Sequence, residues 1–134
     1  MDEMLTGRCL CGAVEFEFPG HANPMVMCHC KQCRQWGGHA WPSITIQFSN
    51  LVIKKGQEAL AWYQSSEFAR RGFCSKCGSS LFWHADRHPE WRDEIAVSVG
   101  CIDDVHGRRL TKHIFAAHKG DYYDITDNLP QEDD

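Results

Sequence analysis

Apolar and polar positions alternate with a period of two in several short runs, the pattern of strands that bury one face. In Ala13-Val14-Glu15-Phe16-Glu17-Phe18, Val14, Phe16 and Phe18 fall on one side and the glutamates on the other, and Pro19-Gly20 closes the run. Ser43 to Phe48 repeats the pattern, as does Glu94 to Val99, which brings Ile95, Val97 and Val99 to one face. Shorter runs at Pro24 to Met27, Leu51 to Lys54, Leu60 to Gln64, Ser80 to Trp83 and Leu110 to Phe115 predict further strands. Turn formers separate them at Ser49-Asn50, Lys55-Gly56, Asp86 to Asp93 and Asp103 to Arg109. Lys31 to Trp36 predicts one helical turn stopped by Gly37-Gly38, and Tyr122 to Ile125 is expected to pack back before an acidic tail. The expected architecture is all-β, with many short strands and no internal repeat.

Length and charge narrow this picture. A chain of 134 residues is expected to form a single domain, 1–134, whose small core gives crosslinks a large share in stability. The net charge of -4, with acids at both ends, argues against a phosphate backbone as main partner, so no nucleic acid is expected. There is neither a basic segment followed by an apolar run at the amino terminus nor a long apolar window, so no secretory signal and no membrane span are expected. The expected compartment is the cytoplasm, where thiols stay reduced.

The cysteines carry the chemistry. Seven of the eight fall into compact groups: Cys9-Leu10-Cys11, Cys28-His29-Cys30-Lys31-Gln32-Cys33 and Cys74-Ser75-Lys76-Cys77, leaving Cys101 alone. Bridging the two members of a C-x-C pair forces a strained small ring, so this spacing favours metal capture over a disulfide framework. Cys9, Cys11, Cys74 and Cys77 supply four ligands for one structural zinc and join segments with 62 residues between Cys11 and Cys74. Cys28, Cys30 and Cys33 form a second set of three. In an extended segment Cys28 and Cys30 point the same way and His29 opposite, and a turn then brings Cys33 round. Three protein ligands leave a fourth position open, as in catalytic zinc sites, although Cys101 or His29 could close it, and an iron-sulfur centre is the alternative occupant.

These residues resemble the glutathione-dependent formaldehyde-activating enzymes, a family related to centromere protein V. The resemblance rests on Gly7-Arg8-Cys9-Leu10-Cys11-Gly12-Ala13-Val14, Cys28 to Arg34 and Phe73-Cys74-Ser75-Lys76-Cys77-Gly78, continuing through Ser79 to Trp83, His113-Ile114-Phe115, Lys119 and Leu129-Pro130. It implies a metal-stapled β-sandwich of the Mss4-like type, a structural zinc on Cys9, Cys11, Cys74 and Cys77, and a catalytic zinc on Cys28, Cys30 and Cys33. The implied reaction joins glutathione to formaldehyde, carbon-sulfur lyase chemistry in the reverse sense; the expected function is addition of a small thiol such as glutathione to a small aldehyde, formaldehyde or a related small electrophile.

A zinc with a free position favours the thiolate form of an incoming thiol and presents sulfur to a carbonyl carbon. Arg34, with Lys31 and Arg71 as further candidates, is expected to pair with a carboxylate of that thiol. His29 is expected behind the ligands or at the surface, and Cys101 as a small buried apolar residue. Trp36, Trp41, Trp83 and Trp91 are candidates to line a cleft or fill the core. The alternative functions are a noncatalytic zinc module that binds a thiol or a protein partner, and redox sensing through oxidation of the zinc thiolates.

Overall fold

The structure, a computed structural model, describes residues 3–20 and 24–134, so Asp2 of the acidic amino terminus lies outside it. Among the described residues, ten strands and one α-helix follow in order: β1 (Glu3–Arg8), β2 (Glu15–Gly20), β3 (Met25–Cys28), α1 (Lys31–Gly37), β4 (Trp41–Gln47), β5 (Val52–Lys55), β6 (Leu60–Gln64), β7 (Arg70–Cys74), β8 (Ser80–His84), β9 (Glu94–Ser98) and β10 (Leu110–Ile114). They form a three-stranded sheet, β1-β2-β5, and a seven-stranded sheet, β10-β3-β4-β9-β8-β7-β6. All pairings are antiparallel except β10 with β3. No helix among the described residues is long and apolar enough to cross a membrane.

Both sheets feed one core. Leu5, Phe16 and Phe18 of the small sheet cluster with Ile44, Ile46, Leu81, Phe82, Ile95 and Val97 of the large one, and the Phe16 and Phe82 rings meet edge to face at 5.2 Å. Strand alternation then decides what the other face of the large sheet does. On β4, Ile44 and Ile46 enter the core, whereas Trp41, Ser43 and Thr45 line a cavity. Val97 and Ala96 divide the same way on β9, as do Phe82 and Trp83 on β8.

Two strands exceed the pattern visible in the sequence. β1 lies in what reads as a polar start, with only Leu5 and Gly7 buried in it. β7 reads as Arg70-Arg71-Gly72-Phe73-Cys74, too polar for a core strand, yet Arg71 is buried there. The run expected to end at Pro19-Gly20 keeps its pairing with β1 through both residues. Proline is tolerated because β5 pairs with β2 only as far as Glu17, so beyond that point one edge of the strand is open.

Candidate metal centres and cavity

The first cysteine group is assembled from two matching turns. Cys9-Leu10-Cys11-Gly12 follows β1, and Cys74-Ser75-Lys76-Cys77-Gly78 joins β7 to β8. Each turn ends in a glycine with positive φ, 80° at Gly12 and 82° at Gly78, a conformation that is cheap only without a Cβ. The Gly12 amide bonds to the Cys9 carbonyl rather than to sulfur, and the N–H aimed at Cys9 Sγ, at 3.3 Å, comes from Val14. Ser79 ties the turns together: its hydroxyl accepts from the Leu10 amide at 2.9 Å and lies 3.2 Å from Cys77 Sγ. The Ser79 hydroxyl and amide pull the Cys77 thiol down to about 5.

All four sulfurs lie within 4.8 Å of one another, with Cys9 to Cys11 at 3.7 Å and Cys11 to Cys74 at 3.8 Å. A tetrahedral zinc with bonds of about 2.3 Å requires sulfur-to-sulfur edges of about 3.8 Å, whereas a disulfide requires about 2.05 Å. The four donors therefore fit zinc, and every cysteine is free.

The second group is built where β3 ends and α1 begins. Cys28 closes β3, Cys30 caps α1, and Cys33 sits one turn into it. Cys30 Sγ accepts from the Cys33 amide at 3.4 Å, the usual capping role of a serine or aspartate given to sulfur. The three sulfurs lie within 4.8 Å of one another, and Cys101 belongs to neither group. The Cys101 thiol, half-buried and pushed up by that burial, donates instead to the Ser80 carbonyl at 3.6 Å. So close a trio shares its protons unequally. S–H bonding among the three, then burial, pushes Cys28 up, while the thiols of Cys28 and Cys33, the Cys33 amide and the charge of Arg71 hold Cys30 low.

Arg71 comes to this trio from β7. It is 4% exposed; its Nη1 donates to Cys33 Sγ at 3.6 Å and its Nη2 to Gln32 Oε1 at 3.3 Å, and its guanidinium lies 5.1 Å from the Trp36 ring. Three thiolates with a divalent ion carry one net negative charge, and one guanidinium cancels it, which suits the donor set to zinc in a site of low polarity. Arg34 has other partners, donating to the carbonyls of His29 and His118, each at 3.1 Å. Lys31 is exposed at the start of α1, and neither it nor Arg34 is among the residues that line the cavity.

His29 is buried behind the trio in a chain of side chains that sequence reasoning did not assemble. Its Nδ1 meets the Tyr123 hydroxyl at 2.7 Å and its Nε2 meets His113 Nδ1 at 2.8 Å; His113 Nε2 lies 3.0 Å from both oxygens of Asp127. An ionised carboxylate only accepts, so His113 Nε2 donates to Asp127; with a neutral His113, its Nδ1 accepts from His29 Nε2, and His29 Nδ1 accepts from the Tyr123 hydroxyl. The His113 hydrogen bond holds the Asp127 carboxyl below the usual carboxylate range, and burial lowers His29. With both ring nitrogens engaged, His29 braces the Cys28-to-Cys30 loop from behind.

Cys28, Cys30, Cys33 and Arg71 open on a cavity of 390 Å3 floored by the outer face of the large sheet. Trp41 and Trp83 line it, and Trp36 packs edge to face on Trp41 at 5.1 Å. Trp91 lies outside, half-exposed and stacked on His88 at 4.0 Å. Two buried donors beside the cavity, Trp41 Nε1 and Arg71 Nε, have no hydrogen-bond partner, a cost of about 1–3 kcal/mol each.

Comparison with known proteins decides the family. The family model for the glutathione-dependent formaldehyde-activating enzyme matches residues 4–118. The chain belongs to that family. Within it, the chain is 29% identical over 130 residues to a Halomonas elongata protein provisionally named a glutathione-dependent formaldehyde-activating enzyme, covering 91% of this chain and 81% of that one. It is 31% identical over 77 residues to an uncharacterised lyase of Schizosaccharomyces pombe, covering 58% of this chain and 55% of the lyase. The crystal structure of a Rhodobacter sphaeroides protein superposes with a TM-score of 0.63 at 27% identity, over 94% of this chain and 98% of that one. Family membership and two cysteine clusters able to hold metal point together to chemistry of thiols and metals.

Proposed function

We propose that this family member is a zinc-dependent carbon-sulfur enzyme that adds a small thiol to formaldehyde or another small aldehyde. Cys9, Cys11, Cys74 and Cys77 hold a structural zinc that staples a β-sandwich of the Mss4-like type, and Cys28, Cys30 and Cys33 hold a second. When bound, the second ion offers a fourth position and lowers the cost of ionising a thiol. The observation that carries the reading is that the trio, unlike a saturated set of four, has only three donors and opens on a cavity.

The remaining work falls to the chain. A carbon-sulfur bond forms as the carbonyl π bond breaks, and the proton lost by the thiol ends on the former carbonyl oxygen, giving a hydroxymethyl thioether. Arg71, which lines the cavity with Nη1 beside Cys33 Sγ, is the cation available to pair with that oxygen as it gains charge, until it is protonated. The aromatic walls keep water away from the carbonyl, and the Tyr123-His29-His113-Asp127 chain fixes the loop that carries Cys28 and Cys30.

The test is zinc stoichiometry together with formaldehyde-dependent adduct formation, corrected for the spontaneous reaction. Two zincs per chain and an acceleration lost in Cys28→Ser support the reading. Two zincs without acceleration overturn it in favour of a noncatalytic zinc module.

A further inference from the structure

The cavity walls carry chemistry that the trio does not use. Trp41 and Trp83 descend from β4 and β8, Phe68 from the turn between β6 and β7, and Ile114 and Phe115 from the end of β10. Phe68 and Phe115 are each 38% exposed. Such exposure means little for scattered residues, but here it rims a concave surface, where apolar groups bind ligands. The volume of 390 Å3 sits near the lower end of the roughly 300–1,000 Å3 common for small-molecule sites.

Charge is confined to one end. Among the described residues lining the cavity, Arg71 is the only cation and there is no aspartate or glutamate. Its guanidinium is already engaged by Cys33 and Gln32, so its charge serves the sulfur end and leaves the outer walls uncharged. Glutathione carries two carboxylates and one ammonium. Enclosed here, at least one carboxylate and the ammonium would lose water and meet only the neutral polar groups of Gln32, Ser43, Thr45 and Ser66 rather than an opposite charge, a penalty that an uncharged body does not meet.

Resting on the reading that the trio presents a reactive sulfur position to this cavity, we propose that the cavity selects thiols whose body is uncharged and aromatic or branched aliphatic, in preference to a zwitterionic peptide thiol. Sulfur lies at the Cys28, Cys30 and Cys33 end, the adduct oxygen beside Arg71, and the apolar body between Trp83 and the Phe68 and Phe115 rim.

The experiment titrates the full-length, zinc-loaded protein with 2-phenylethanethiol, with its methyl thioether and with glutathione, followed by quenching of tryptophan fluorescence. The thioether keeps the aromatic body but cannot ionise, so it reads the walls independently of activity. At least tenfold tighter binding of 2-phenylethanethiol than of glutathione, with saturable thioether binding, is expected. Phe68→Ser, or Phe115→Ser should the first variant fold poorly, lowers that preference severalfold. Glutathione binding as tightly as, or more tightly than, the aromatic thiol overturns this proposal, while an acceleration with glutathione would leave the proposed function standing. Aromatic binding that depends on Phe68 without acceleration by any thiol supports the cavity assignment and overturns the catalytic one. No binding by any of the three overturns both.

Discussion

The two cysteine clusters use the same atoms in opposite settings. The set of four is closed on itself: two glycine-ended turns, crosslinked through Ser79, bring its sulfurs to tetrahedral spacing at the edge of the main core. The set of three is backed by buried imidazoles on one side and opens on a cavity with a buried guanidinium on the other. On the proposed reading, ligand number and what surrounds the ligands, rather than ligand type, would separate a staple from a reactive centre.

The strongest way to break this contrast is Cys74→Ser. A structural zinc contributes about 10–16 kcal/mol in small domains, as much as or more than the roughly 5–15 kcal/mol by which a domain is stable. The variant is expected to lose cooperative thermal unfolding. A cooperative transition near that of the wild type would show that the four-sulfur set is not a staple. Stripping by a chelator should likewise occur in two phases, the first releasing zinc and activity with circular dichroism unchanged, the second releasing zinc and fold together. Next in size, Cys28→Ser should keep the fold, retain one zinc per chain and lose all acceleration.

A finer cut is Arg71→Lys, which keeps the charge but loses the planar fork. A fall of about 100-fold in kcat/KM, or ~2.7 kcal/mol, is expected at unchanged zinc content. Full activity would remove Arg71 from the reaction. The smallest effect belongs to Tyr123→Phe, which deletes one hydrogen bond to His29. It should cost about 1 kcal/mol, seen as a melting temperature about 3–4 °C lower, with activity within about twofold.

Most of the β framework and both sulfur sets were legible because they are local: strand alternation and cysteine spacing show within a few residues. Val14, just ahead of β2, and Phe16 and Phe18 within it are buried as their period predicts, and Cys28, Cys30 and Cys33 meet as a strand followed by a turn requires. What escaped was contact at long range. His29 joins Tyr123 and His113 across 94 and 84 positions, and no short window relates them, although a histidine between two ligand cysteines invited a search for its partner. Arg71 was one of three cations considered beside the trio. Its burial follows from the pairing of β7 between β6 and β8, which its polar composition hides. Arg34 was favoured for nearness in sequence, but the start of α1 directs its side chain to two backbone carbonyls.

One five-residue ribbon, β7, reaches both centres: Arg71 extends toward the trio and Cys74 ends in the four-sulfur set. Anchoring Cys74 thus also positions the cation that answers charge at the other centre. With zinc in both sets, the two ions would act in series, and activity should depend more steeply on zinc supply than a single reactive ion would allow. A chain starved of metal at the four-sulfur set would then forfeit its chemistry even with the second position filled.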